Sequence, residues 1–203
     1  MKKSLIFLTC FFLLITTQTL NSKEIRSMFG FYVDIPDEYE LLQNLNLDDL
    51  IKENPQLEMN REFFDEMAAG SKKKDFNVEY FFPTKFNAEL NNIYINHVEY
   101  PIKELMVVDT NEVCDGFREL FSSLWKKPSL KQLECKKSPK EIKFKSPVIF
   151  KFVHEGPFRK TKLMNYYLQV YKGYSTSLSL LCEIKNCNLL YDDLILITNS
   201  IKK

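Results

Sequence analysis

The stretch that decides the fold, residues 174–203, reads YSTSLSLLCEIKNCNLLYDDLILITNSIKK. Along its first part apolar side chains occupy every second position, at Leu178, Leu180, Cys182 and Ile184. Polar side chains lie between them, at Ser177, Ser179 and Glu183. This period predicts a β-strand with one buried face. Farther on, apolar residues recur every three or four positions, at Leu190, Leu194, Ile197 and Ile201. That spacing predicts a helix with one apolar stripe.

The preceding sequence continues this mixture of strand and helix patterns. Strands are predicted at residues 28–35, 76–82, 92–100, 131–135, 142–144, 148–154 and 163–171, before the strand at 174–184. A tight turn at Lys172-Gly173 would join the last two strands. Helices are predicted at residues 55–70, where a proline follows an asparagine cap, and from a Thr110 cap to residue 128. The fold class is therefore α+β, a mainly antiparallel sheet covered by helices.

The N-terminus has the three parts of a secretory signal peptide. Lys2 and Lys3 precede the apolar run from Leu5 to Ile15, and a polar exit follows up to Ser22. The run is too short to span about 30 Å of hydrocarbon, which needs roughly 20 apolar residues. We expect a signal peptide over residues 1–22 and a single domain over residues 23–203; the alternative is an uncleaved anchor. An exported protein, periplasmic or secreted, is predicted, and the absence of an N-x-[ST] sequon favours a bacterial source.

The charge is balanced in total but not along the chain. Loss of Lys2 and Lys3 from 28 basic residues would leave 26 against 27 acidic ones, a net charge of −1. This near-neutral total argues against a nucleic-acid partner. Residues 34–66 hold 11 acidic and 2 basic side chains, whereas residues 126–162 hold 12 basic and 3 acidic ones. The basic segment predicts a face for an acidic partner or anionic lipid headgroups; the alternative is two ordinary solvated faces.

Four cysteines remain after the predicted cleavage, and they allow three pairings. Cys114 lies one turn into a predicted helix, and Cys135 lies on a strand that runs back beside it, sharing a face with Leu133. The helix and strand rises bring these two sulfurs to similar heights. Cys182 and Cys187 flank a strand-to-helix corner. Disulfides within both pairs are the prediction for an oxidising compartment; the alternative for the second pair is a buried apolar residue and a free thiol.

Both ends of the chain beyond its leader resemble the PsbP-like family. The N-terminal similarity is Phe31-Tyr32-Val33-Asp34-Ile35-Pro36 followed by Tyr39, where the family usually has Trp. The C-terminal similarity covers Tyr174 to Leu180 and the helix that ends in Asn199-Ser200-Ile201-Lys202. The resemblance implies an α/β/α sandwich of the kind found in photosystem accessory proteins and a Ran-binding nuclear import factor. It also implies a mostly non-catalytic domain that binds partner proteins or ligands.

The sequence contains no recognisable catalytic or metal-binding motif. It has no Gly-rich phosphate loop, no C-x-x-C, no G-x-S-x-G and no H-E-x-x-H. His97 and His154 each end a predicted strand, and they could hold a metal only if those strands were neighbours. No catalytic residue, cofactor or metal is therefore predicted. Aromatic side chains at Phe81, Phe82, Phe86, Tyr167 and Tyr171 are either core residues or a binding surface.

The predicted function is an exported, non-enzymatic accessory domain that binds a partner protein or envelope component. The alternatives are a carrier of a small apolar ligand or lipid and, third, a hydrolase. The expected binding surface is the basic face at Lys136, Lys137, Lys140 and Lys143. Peripheral membrane contact is compatible with the same charges.

Overall fold

The computed structural model describes residues 21–41, 48, 52, 78–86, 90–98, 106–124, 126, 130–158, 160–171 and 175–203. Three predicted features lie outside these described residues: residues 1–20 of the predicted signal peptide (1–22), the helix at 55–70 and the turn at Lys172-Gly173. The strands are β1 (Ser22–Arg26), β2 (Tyr32–Pro36), β3 (Tyr39–Leu41), β4 (Val78–Pro83), β5 (Asn92–Val98), β6 (Gln132–Lys137), β7 (Ile149–Glu155), β8 (Thr161–Leu168) and β9 (Ser175–Glu183). The helices are α1 (Thr110–Leu124) and α2 (Cys187–Asn199).

Seven of these strands form one antiparallel sheet in the order β3-β4-β5-β9-β8-β7-β6. β1 and β2 form a separate two-stranded ribbon, and β2 is joined to the end of the chain by a bridge between Tyr32 and Lys202. The helix α2 packs on one face of the large sheet, in a core with Leu178, Leu180 and Tyr166. The helix α1 packs on the opposite face, against Phe150, Phe152 and Tyr167. The predicted α+β class with an antiparallel, helix-covered sheet is confirmed.

The strand β9 is central, because it pairs with β5 on one side and β8 on the other. Its predicted apolar face is buried beneath α2, but its serine face is buried as well. The Asn165 amide donates hydrogen bonds to the Ser177 and Ser179 hydroxyls across β8 and β9. The expectation of one solvated face is therefore wrong, because a second layer covers the sheet. Ile184 also differs from expectation, since it lies in the turn after β9 and is exposed.

Other boundaries differ from the sequence prediction for local reasons. The cap of α1 is Asp109, whose carboxylate accepts the Asn111 N–H at 2.8 Å, and Thr110 is the first helical residue. Residues 142–144 form a loop, not a strand, although the Ile142 side chain is buried. A register irregularity between Gln132 and Glu134 leaves Leu133 exposed, so it does not share the face of Cys135. The short strands β1 and β3 were not predicted.

Candidate functional site

Both predicted cysteine pairs lie at disulfide distance. Cys114 on α1 and Cys135 on β6 have Cα atoms 6.0 Å apart, which ties the helix to the edge strand of the sheet. Cys182 at the end of β9 and Cys187 at the start of α2 have Cα atoms 5.2 Å apart. The second bridge therefore fixes the corner at which the chain leaves the sheet for the helix.

The basic segment 126–162 does not form one face. Antiparallel pairing places the C-terminal end of β6 and the following loop at one end of the sheet. This lysine end consists of Lys136, Lys137, Lys140, Lys143 and Lys145. Other described lysines of the segment lie elsewhere. Lys131, Lys160 and Lys162, whose side chains are exposed or half-buried, lie at the opposite end of the sheet. The four lysines predicted as a binding face thus share one end, whereas the segment as a whole is divided.

The loop that carries the lysine end is fixed to the fold by its backbone. The Ser138 N–H donates to the Ile149 carbonyl at 2.8 Å, and Ile142 is buried in the α2 core. Asn199 at the end of α2 accepts the Lys143 N–H through its side-chain oxygen, and its amide donates to the Glu141 carbonyl at 3.0 Å. The loop is therefore held by both the sheet and the helix, with its lysine side chains directed outward.

One lysine of the basic segment, Lys151 on β7, is buried beneath this loop. Its Nζ lies 3.1 Å from carboxylate oxygens of both Glu134 and Glu141, and 4.8 Å from the centre of the Tyr191 ring. The Tyr191 hydroxyl donates to Glu141 at 2.9 Å, and the Tyr166 hydroxyl does so at 3.0 Å. These contacts join β6, β7, β8, α2 and the loop in one polar cluster around the buried lysine, the Lys151 cluster.

The environment of the Lys151 cluster favours its charged forms. Burial alone would raise the pKa of Glu141, but hydrogen bonds from its own backbone N–H, the two tyrosines and Lys151 lower it to about 2. Burial alone would lower the pKa of Lys151, but its hydrogen bonds with Tyr191 and the two carboxylates raise it above the ordinary value. Lys151 and the two carboxylates therefore form ion pairs that stabilise the base of the loop, and their pKa values do not suit proton transfer near neutral pH.

The exposed lysines of the lysine end differ from Lys151 in having no carboxylate partner within the described part of the chain. Lys136, Lys140, Lys143 and Lys145 are exposed, and Lys137 is half-buried with its Nζ 6.0 Å from the centre of the Phe150 ring. Their charges are not neutralised locally. A fixed loop with unneutralised lysines attracts anionic groups.

The two histidines do not meet. His97 on β5 and His154 on β7 are separated by β9 and β8, and they lie at opposite ends of the sheet. His97 bonds to the Thr176 hydroxyl at 3.1 Å. His154 is fully buried between aromatic rings, and burial together with the nearby Arg118 charge lowers its pKa to about 4. The condition for a shared metal site, neighbouring strands, is not met.

The aromatic residues named as a possible binding surface belong to the core. Phe81 and Phe82 are buried, Phe86 is partly buried, and Tyr167 packs on Phe117 of α1 with ring centres 5.1 Å apart. A cleft of about 360 Å³ opens between the β1 and β3 edges instead. Its lining is largely charged and consists of Lys23, Glu24, Ile25, Arg26, Glu40 and Leu41. This lining does not favour an apolar ligand. Among the described residues no helix is long and apolar enough to cross a membrane.

The layered arrangement, two helices on opposite faces of an antiparallel sheet, defines a PsbP-like α+β fold. A similar solved structure is cyanobacterial PsbP (CyanoP) from Synechocystis sp. PCC 6803, with a TM-score of 0.57. The match covers 90% of this chain and 92% of that chain at 8% sequence identity, so the likeness concerns the fold. The PsbP-like resemblance found at the two ends of the sequence is confirmed at this level. Neither a protein-family model nor a curated protein sequence matches the chain.

Proposed function

We propose that this protein is an exported, non-enzymatic accessory domain that binds a partner protein or another envelope component through the lysine end. The observation that carries the proposal is the loop after β6, which Asn199 and the Lys151 cluster fix, while its lysines have no carboxylate partner among the residues that the structure describes. A fixed cationic loop loses little conformational freedom on binding, which favours recognition of an acidic surface. Two cysteine pairs at disulfide distance are compatible with export. The carrier of a small apolar ligand and the hydrolase stay predictions of lower rank.

An alternative role for Lys136 and Lys137 is protection of the sheet edge, because β6 is an edge strand and lysines prevent edge-to-edge association. Replacement by glutamate separates the two roles. Glutamate keeps the edge charged, so protection persists, while attraction to an acidic partner is reversed. The loop lysines Lys140 and Lys143 lie beyond the strand and have no edge to protect.

We expect the fourfold variant Lys136→Glu, Lys137→Glu, Lys140→Glu and Lys143→Glu to lose its co-purifying partner. Each reversed charge near an acidic surface weakens binding by about 1 kcal/mol, so the four together reduce recovery by more than about a hundredfold. The measurement is quantitative mass spectrometry of proteins that co-purify with the exported protein from its native host. The matched control reverses four lysines at the opposite end, Lys131, Lys160, Lys162 and Lys185.

The control has the same net charge as the test variant, so a general charge effect would lower both recoveries equally. Equal recovery of all partners by the wild type and the test variant would contradict the proposal. Thermal unfolding of each variant shows whether it is folded, and exposed substitutions of this kind usually change stability by less than about 0.5 kcal/mol.

A further inference from the structure

Three large apolar side chains are exposed at the end of the sheet opposite the lysine end. Phe158 in the turn between β7 and β8 is 45% exposed, Ile184 after β9 is 52% exposed, and Leu189 in the first turn of α2 is 64% exposed. Single exposed apolar residues are common on protein surfaces. Three such side chains at the same end of one sheet, in contrast, form a local apolar surface.

A backbone hydrogen bond joins the turns of Phe158 and Ile184, and Leu189 follows at the adjacent start of α2. The Ile184 N–H donates to the Lys160 carbonyl at 2.9 Å, which joins the turn after β9 to the turn that contains Phe158. The Leu189 N–H donates to the Asn186 carbonyl at 3.1 Å, so Leu189 follows the same corner by one helical turn. We call Phe158, Ile184 and Leu189 the apolar end.

The corner that carries Ile184 and Leu189 is held rigidly. The bridge between Cys182 and Cys187 closes it. Asn91 accepts both the Glu183 N–H at 3.2 Å and the Asn186 amide at 3.1 Å, which ties the corner to the residue before β5. These bonds hold the residues on both sides of Ile184, whose side chain is exposed.

The charge around the apolar end is positive. Lys131, Lys160, Lys162 and Lys185 lie at this end, against Glu155, Glu183 and Asp192, and Asp192 lies one helical turn after Leu189. The Lys131 carbonyl accepts the Glu155 N–H at 3.0 Å, which places β6 and β7 residues side by side here. Within the described part of the chain, Lys185 is the one lysine of these four with an ion pair, to Glu183 at 3.4 Å, and its side chain is largely exposed. Exposed apolar side chains surrounded by lysines match the boundary of an anionic bilayer.

We propose that the apolar end inserts into the headgroup boundary of a membrane that contains anionic lipid. Phe158, Ile184 and Leu189 enter the boundary, and the surrounding lysines contact the lipid headgroups. The lysine end lacks this combination, because residues 136–149 include no exposed large apolar side chain that could enter a bilayer boundary. The contact is peripheral, and it leaves the lysine end, at the other end of the sheet, free for its own partner.

The test is cosedimentation of the exported, processed protein with vesicles of phosphatidylcholine alone or of phosphatidylcholine and phosphatidylglycerol in equal parts. We expect binding to the anionic vesicles, loss of binding at high salt, and partition weakened by about tenfold or more in the triple variant Phe158→Ser, Ile184→Ser and Leu189→Ser. The matched control is Met28→Ser, which removes another exposed apolar side chain outside the apolar end and is expected to bind as the wild type does.

All variants carry the same N-terminus, checked by intact mass, so an uncleaved leader would raise the binding of every variant equally. Absence of wild-type binding to anionic vesicles, or equal binding by the wild type and the triple variant, would overturn the proposal. The lysine-end variant Lys140→Glu with Lys143→Glu separates this result from the proposed function. It is expected to lose its partner yet keep at least about half of its vesicle binding, since its substitutions lie outside the apolar end.

Discussion

Replacing Lys151 by methionine should lower the free energy of unfolding by about 2 kcal/mol, since the carboxylates that lose their partner are partly exposed. Methionine fills most of the volume of the lysine stem, so the loss comes from the charge. Without the Nζ, the carboxylates of Glu134 and Glu141 remain at the base of the loop without their shared cation. Urea unfolding followed by circular dichroism measures the change, and Lys145→Met, at an exposed lysine outside the cluster, should change stability by less than about 0.5 kcal/mol.

The double variant Lys151→Met with Glu141→Gln tests the cause of that loss. Glutamine is neutral and can still accept the tyrosine hydrogen bonds, so part of the lost stability should return if an unpaired charge is responsible. Equal stability of Lys151→Met and Lys145→Met would contradict the role given to the Lys151 cluster.

The same cluster also makes the stability of the protein depend on pH in the acid range. Because the pKa of Glu141 is lowered to about 2 in the folded protein, its contribution is complete above its ordinary pKa and is lost as the pH falls toward about 2.

Removing the bridge between α1 and β6 with Cys114→Ala and Cys135→Ala should lower the free energy of unfolding by about 3 kcal/mol. The two residues are 21 positions apart, so the bridge restricts a long loop in the unfolded chain. The bridge between Cys182 and Cys187 spans only 5 positions, and the same chain-entropy argument gives about 2 kcal/mol for its removal. The comparison of the two double variants by thermal unfolding in the oxidised state measures both effects.

We expect the Cys114 and Cys135 variant to lose more stability than the Cys182 and Cys187 variant, because its bridge closes the longer loop. Wild-type protein treated with a reducing agent should unfold at least as easily as the less stable double variant. If the Cys114 and Cys135 variant matched the wild type, the two thiols would not be bridged in the purified protein. Free thiols counted by mass spectrometry under denaturing conditions give an independent check on that outcome.

Much of the fold follows from short-range patterns in the sequence. The strand β9 and the helix α2 were predicted because alternation and helical spacing follow each other directly in residues 174–203. The strands β1 and β3 were missed because they are short and lie at edges, where no apolar alternation is required. The burial of Ser177 and Ser179 was missed for another reason. Their polar character is satisfied by Asn165 on the neighbouring strand, a pairing that depends on sheet order.

The candidate sites were predictable only in part. The lysine end could be named because its members are close in sequence. The division of the basic segment could not, since it depends on which way each antiparallel strand runs. The Lys151 cluster joins residues from Glu134 to Tyr191, and no local pattern marks such a set. The apolar end was not predicted, because alternation assigns Ile184 to the buried face of β9 and no local pattern brings Phe158 and Leu189 next to it.

Site-specific photo-crosslinking in the native host tests whether the lysine end binds a partner. A photoreactive amino acid replaces Lys140 in one variant and Thr84, an exposed residue after β4, in the other. We expect a defined crosslinked product at position 140 and none at position 84, and we expect Lys136→Glu with Lys143→Glu to abolish the product. Equal products at both positions, or no product at position 140, would contradict partner binding by the lysine end.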